Sequence, residues 1–306
     1  MLGRTPTALA LGLLILGNLA ASLSDVMVKL LEGSISPLQY MFVRQLFAVL
    51  LIAPLWWRQP RAQRRLQQVG VTLTRAHLIL IGSGCMMVAI THMTLATANA
   101  VFYAAPLLML PLSIWLLNER PGLGKVLATV IGFIGVLVVL RPSQFHWAAL
   151  FALGTATTLA LFNVLVQKLP ADQPVITTLF WTSLLSLPSA ALLAWVQWQP
   201  LSVDALILVA ASAAFVLTYN GLAVMAYQRA PANHIALAEY SGLIFVAVIG
   251  WVWFAERLDG VTLLGIALIV LPLMPLRLLR NGIRRPRLFA AAKPTARQTE
   301  KHHRTG

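Results

Sequence analysis

Acidic residues are scarce in this chain: nine Asp and Glu stand against 23 Lys and Arg, and charged residues of either sign make up only 10% of its 306 positions. A soluble domain carries about 25%, so a water-covered globular surface is excluded. The single cysteine, Cys85, rules out any disulfide within the chain and leaves the redox compartment unreadable. Also missing are His-Glu-x-x-His, Gly-x-Ser-x-Gly and any nucleophile with a matched base, which argues against an enzyme. The nearest approach, Gly82-Ser83-Gly84 with His77 and His92, reads better as small residues in a packed helix. No metal set and no cofactor motif is found, and His302-His303 reads as a solvated end.

What the chain has in abundance is apolar length. Hydrophobic residues reach 59%, and a bilayer crossing needs about 20 of them in a row. Ten runs qualify, at approximately 8–31, 36–57, 77–95, 99–118, 122–140, 146–167, 174–196, 204–229, 233–254 and 260–280. Turn and capping chemistry separates them: Ser36-Pro37, Pro121-Gly122, Asp204, and a tight hairpin around Thr97-Ala98. The one long polar connection is 58–76. The expected fold is an all-α integral membrane protein of ten transmembrane helices. Arg4, the apolar stretch from Leu9 and Ala20-Ala21-Ser22 imitate a secretory signal, but removing that run would break the ten-helix pattern.

Of the Lys and Arg residues, 19 fall on the side holding the N-terminus. Three (Lys29, Arg141, Arg257) fall on the other, and Arg44 lies inside a run. The positive-inside rule then puts both termini in the cytoplasm of a multi-pass inner (plasma) membrane protein, as an even helix count also requires. The net charge of +14 is read the same way, as topology and contact with anionic lipid, and not as nucleic-acid binding. The basic tail, 281–306, has the composition of a disordered, lipid-facing segment.

The chain also repeats itself. Ser24-Asp25-Val26-Met27-Val28-Lys29-Leu30 returns as Phe162-Asn163-Val164-Leu165-Val166-Gln167-Lys168, Ala98-Asn99 as Ala232-Asn233, and Glu119-Arg120 as Glu256-Arg257. Two homologous parts follow, 8–140 and 146–280, after a cytoplasmic N-terminus 1–7. With five crossings each, they must face opposite ways, an architecture common among secondary transporters.

Leu117-Asn118-Glu119-Arg120-Pro121 with Gly132-Phe133-Ile134-Gly135 matches Phe254-Ala255-Glu256-Arg257-Leu258 with Gly260 and Gly265. In these motifs, and in Lys29 after Asp25 and Arg44 followed by Pro54, the chain resembles the EamA-like branch of the drug/metabolite transporter superfamily over roughly 8–280. The resemblance implies two inverted five-helix repeats and alternating-access transport of a small-molecule substrate such as an amino acid, related amine or carboxylate. Export is the commoner direction among relatives, and uptake or exchange of an S-adenosylmethionine- or nucleoside-like metabolite is the alternative. The assembly expected is a monomer or weak homodimer in the lipid bilayer.

Polar residues inside the runs mark the candidate site, because a central charge costs about 2.5–3.5 kcal/mol on insertion scales. Arg44 lies about 12 Å into run two at 1.5 Å per residue from Ser36. It reads either as a carboxylate or phosphate ligand or as the ion-pair partner of Asp25, which competes with a local Asp25–Lys29 pair. Glu239, the acidic residue well inside the second half, suits proton coupling or recognition of an amine, with Tyr240 beside it. Tyr103, Tyr219, Asn220, Trp181, Asn18 and His92 complete the substrate-binding candidates, and Asp25, Lys29, Glu119 and Glu256 are the ion-pair and gating candidates. Trp56, Trp57, Trp195, Trp198, Trp251 and Trp253 read as an aromatic belt.

Overall fold

The computed structural model describes residues 5–31, 33–118, 122–140, 146–166, 168–170, 173–227, 238, 241–257 and 259–271. The chain divides into Met1–Met274 and Pro275–Gly306, and the second unit, with the basic tail, lies outside the described residues.

Among the described residues the regular structure is all helical. The helices are α1 (Thr5–Leu30), α2 (Pro37–Trp57), α3 (Val69–His92), α4 (Leu95–Phe102), α5 (Ala105–Leu117), α6 (Leu123–Leu140), α7 (Ala148–Val166), α8 (Val175–Val196), α9 (Val203–Tyr227), α10 (Ser241–Phe254) and α11 (Gly260–Val270), with a 3-10 turn at Arg61–Arg64. Seven stretches are long and apolar enough to cross a bilayer by length and composition: Ala8–Leu30, Pro37–Trp57, Val69–His92, Leu95–Leu116, Ala148–Leu165, Val175–Val196 and Val203–Ala223. Val126–Leu140, Ser241–Phe254 and Gly260–Val270 are shorter apolar helices. Runs nine and ten are short partly because 233–237, 239–240 and 272–280 lie outside the described residues.

The local chemistry of the boundaries explains where sequence and structure part. Ser36 caps α2 as expected, accepting from the Gln39 N–H at 3.2 Å ahead of Pro37. Helix α9 is capped by Ser202, which accepts from the Ala205 N–H at 3.1 Å, and not by Asp204, which falls inside its first turn. The hairpin between runs three and four turns at Met93-Thr94, where Thr94 caps α4, so Thr97-Ala98 is helical. Helix α3 starts at Val69 and draws Arg75 out of the expected polar connection into the helix. Run four is two helices, α4 and α5, interrupted at Tyr103-Ala104. Trp56 is not part of a lipid-facing belt: its ring stacks on Phe180 at 4.2 Å, whereas Trp57, Trp195 and Trp251 are exposed.

Packing follows the duplication. The repeat offsets match α1 with α7, α2 with α8, α3 with α9, α4–α5 with α10, and α6 with α11. Exchanging the members of each match turns the packed pair α1·α9 into α7·α3, α2·α9 into α8·α3, and α1·α10 into α7·α4 and α7·α5, all of which are packed. The pairs α2·α8, α4·α10 and α6·α11 map onto themselves and are packed too. Contacts between the two copies therefore obey a two-fold exchange. Where α6 crosses α11, a Cβ on Gly135 would lie 2.8 Å from the Gly265 carbonyl oxygen, so glycine on both sides permits backbone-to-backbone approach. Leu50, Leu127, Leu192 and Ile207 are more than half exposed on the outside, which suits contact with lipid.

Candidate functional site

Helix α1 carries a polar stripe. Asn18, Ser22, Asp25 and Lys29 recur at spacings of four, three and four, one face of an α-helix. The stripe grips α10 at both ends. At its start, Asn18 Nδ2 donates to Ala238 O at 2.7 Å and to Ser241 Oγ at 3.2 Å, and Ser22 Oγ donates to Gly242 O at 3.3 Å. At its finish, Lys29 Nζ meets Glu256 Oε1 at 3.0 Å. Along this stretch α1 and α10 run in the same direction. Against α9, by contrast, α1 runs antiparallel: Ser24 faces Ser212, and Gly17 faces Tyr219 and Leu222.

Asp25 sits between those two anchor points, in a polar cluster drawn from both copies of the repeat. It lies within hydrogen-bonding reach of Asn99 on α4 and in the electrostatic field of Arg44 on α2. Arg44, 8% exposed, lies over the ring of Tyr40 one turn earlier, at 6.0 Å from the centroid. The Tyr40 hydroxyl is 3.3 Å from Ser212 Oγ, and Ser212 Oγ is 2.8 Å from Ser24 Oγ. No ion pair within 4.0 Å joins Asp25 to Arg44 or to Lys29, and Arg44 makes no hydrogen bond among the described residues. Each charge thus has the other as a neighbour, not as a closed partner. Asp25 is half-buried and Arg44 is buried, so both polar groups sit inside the helical packing.

Tyr103 occupies the interruption of run four, and its hydroxyl packs over Gly242, where any Cβ would collide with it. Asn18 packs on the same glycine. A helix broken beside polar groups is how many transporters expose backbone and side chains to a solute. Glu239 and Tyr240 lie outside the described residues; their chain neighbours Ala238 and Ser241 are the groups bound by Asn18.

Lys29 and Glu256 form an ion pair whose side chains are 17% and 12% exposed. Lys29 Nζ also donates to Met93 O at 2.7 Å, and the Leu95 N–H, at the start of α4, donates to Glu256 Oε2 at 2.7 Å. A carboxylate there satisfies an orphan donor and meets the positive end of the helix. The local backbone aims it: Ala255 is left-handed (φ 51°), which costs an alanine roughly 1–2 kcal/mol, and the Glu256 N–H donates to Gly250 O at 3.0 Å. A Cβ on Gly250 would stand 2.9 Å from Glu256 Oε2, so any larger residue there would push this carboxylate aside. Asn118, the matching residue before Glu119, is left-handed too (φ 54°), while Glu119 itself lies outside the described residues.

The remaining candidates are elsewhere. Trp181 Nε1 donates to Arg64 O at 2.8 Å and its ring meets Trp56 edge-on, pinning the 58–68 connection to α8. His92 is exposed, with Nδ1 2.9 Å from Val88 O and its ring edge-on to Trp147. Tyr219 packs against Gly17 on α1, and Asn220 is half-buried beside it in α9. Among the described residues no group of three His, Cys, Asp or Glu could hold a metal ion. Sequence reasoning passed over Ser24, Tyr40, Asn99 and Ser212. Tyr40, one turn before Arg44, and Asn99, part of a repeated dipeptide, were the available signals.

The EamA-like transporter family model matches residues 8–141 and again 146–274. The S-adenosylmethionine uptake transporter of Rickettsia prowazekii is 25% identical over 264 residues, 84% of this chain and 88% of that protein. The riboflavin transporter of Vibrio cholerae is 30% identical over 217 residues, 69% of this chain and 72% of that protein. The pseudopaline exporter CntI of Pseudomonas aeruginosa is 24% identical over 274 residues, 88% of this chain and 96% of that protein. A solved crystal structure shares the fold at a TM-score of 0.59 and 19% identity, covering 90% of this chain and 99% of its own. These relatives are named as transporters of small metabolites, and the two family matches coincide with the two copies read from the sequence. The chain belongs to the EamA-like transporter family.

Proposed function

We propose that this chain is a secondary transporter in which two inverted five-helix repeats move a small polar metabolite bearing an amine and a carboxylate across the plasma membrane, with both termini in the cytoplasm. The observation that carries the reading is that half-buried Asp25 and buried Arg44 are neighbours without an ion pair within 4.0 Å. A carboxylate of the solute suits the fork of Arg44, and its ammonium suits Asp25. The relatives named for S-adenosylmethionine and pseudopaline agree with a solute of this kind. Ten crossings are supported by the two-fold exchange of contacts, by α1 running parallel to α10 and antiparallel to α9, and by the 19-to-3 placement of cations. Proton coupling attaches to Glu239.

The test is flux in proteoliposomes across amino acids, S-adenosylmethionine, riboflavin and nucleosides, with and without an imposed pH gradient. The expected result is saturable flux of at least one amino-acid-like solute, faster with the gradient and losing that acceleration in Glu239→Gln. No flux of any solute by folded protein rejects transport, and gradient-insensitive flux rejects proton coupling alone.

A further inference from the structure

Arg75 is the most deeply buried cation among the described residues, at 3% exposure, and the Asp25–Arg44 cluster does not use it. It stands on α3 with its guanidinium 4.0 Å from the centroid of Phe162 on α7. Its Nε and Nη1 are buried and hydrogen-bond nothing. Thr72, one turn earlier on the same face, is fully buried, and its Oγ1 also lacks a partner. Folded proteins rarely leave such groups unpaired, and an unexplained one points to a missing water or ion. A stacked guanidinium with unused donors calls for an acceptor, and its charge for an anion.

The duplication says what kind of place this is. The offset that carries Ser24 onto Phe162 is 138, and the one that carries Arg75 onto Ser212 is 137. The Arg75–Phe162 contact is therefore the repeat counterpart of the Ser212–Ser24 contact, which belongs to the Asp25–Arg44 cluster. The counterpart of Arg44 is Thr182 on α8, packed against α3, and its Oγ1 is likewise buried with no partner. In this copy the cation has moved from the second helix to the third.

We infer that Arg75 and Thr72, with Thr182 from the facing helix, form a second anion site that takes a carboxylate or phosphate group. Its equivalence to the Asp25–Arg44 cluster rests on the inverted-repeat reading, but the site itself rests on the buried, unpaired donors. Binding is therefore tested apart from transport.

The full-length protein is held in nanodiscs of zwitterionic phosphatidylcholine, and unfolding is followed with a thiol-reactive dye that reports exposure of the single Cys85. Titration with inorganic phosphate against chloride at equal ionic strength should raise Tm by several degrees at concentrations well above Kd, as preferential binding to the folded state requires. Arg75→Gln should abolish the shift and Thr72→Val should reduce it, while Thr74→Val on the exposed face should leave it intact. A shift that appears only when phosphatidylglycerol enters the nanodisc, and is lost in Arg75→Gln, identifies a lipid headgroup as the anion. If Arg75→Gln does not fold, Thr72→Val and Arg75→Lys decide, and a wild-type shift in both overturns the site. No shift with either source of phosphate, or an undiminished shift in Arg75→Gln, also overturns it, while flux of amino-acid-like solutes would stand unaffected.

Discussion

Arg44→Gln lowers solute flux at least about 100-fold while leaving a folded, monodisperse protein. The magnitude comes from removing a charged partner of a desolvated ligand group, which costs about 2–5 kcal/mol, with each 1.4 kcal/mol worth tenfold. The fold should survive because Arg44 makes no hydrogen bond and no ion pair among the described residues. Asp25→Asn should lose flux to a similar degree, with the ammonium end of the solute left unpaired. The double variant should be little worse than either single one, since both act on one bound molecule. Flux and size-exclusion profiles measured on the same preparations check this. If Arg44→Gln is instead unfolded while Asp25→Asn/Arg44→Gln is stable, the two residues are a structural pair and the solute binds elsewhere.

The second large effect is at the junction of α1, α4 and the end of α10. Lys29→Ala strands the Glu256 carboxylate and frees the Met93 carbonyl; Glu256→Ala strands Lys29 and the Leu95 N–H. Removing one member of a buried pair costs about 3–5 kcal/mol, and with both side chains slightly exposed the low end, about 3 kcal/mol, is expected. That corresponds to a fall in Tm of roughly 6–12 °C. Glu256→Gln should be milder than Glu256→Ala, because an amide oxygen can still accept from Leu95. The charge swap Lys29→Glu/Glu256→Lys should recover only part, since a lysine placed before the Leu95 N–H meets a donor. Thermal unfolding of the four variants separates these outcomes, and equal Tm values for Glu256→Gln and Glu256→Ala would contradict the role given to the Leu95 N–H.

Much of this was legible in the sequence because bilayer physics leaves little freedom. Long apolar runs must be helices, so an all-α membrane protein follows from composition, and the repeated Asp25 and Glu256 segments announce two copies. The break at Tyr103 was not legible: 99–118 reads as one apolar run, and nothing local to Tyr103-Ala104 is an obvious breaker except Pro106 just beyond. Arg75 was misread because a charge next to a polar connection is ordinarily solvated. The distant Phe162, brought alongside by the packing of α3 on α7, covers its guanidinium. The Lys29–Glu256 contact joins residues far apart in the chain, and Lys29 had a nearer alternative. Asp25 competes for Lys29 along α1, yet the left-handed Ala255 turns Glu256 back to take that place.

On the proposed transport reading, the contact between Lys29 and Glu256 must open for a solute to pass. Lys29→Cys/Glu256→Cys in a Cys85→Ser background allows the two positions to be joined by a reducible bifunctional thiol reagent, and flux is then read before cross-linking, after it, and after reduction. Alternating access predicts measurable flux in the double variant, its loss in proportion to cross-linked protein, and its return on reduction. Flux that continues unchanged through fully cross-linked protein would contradict the account.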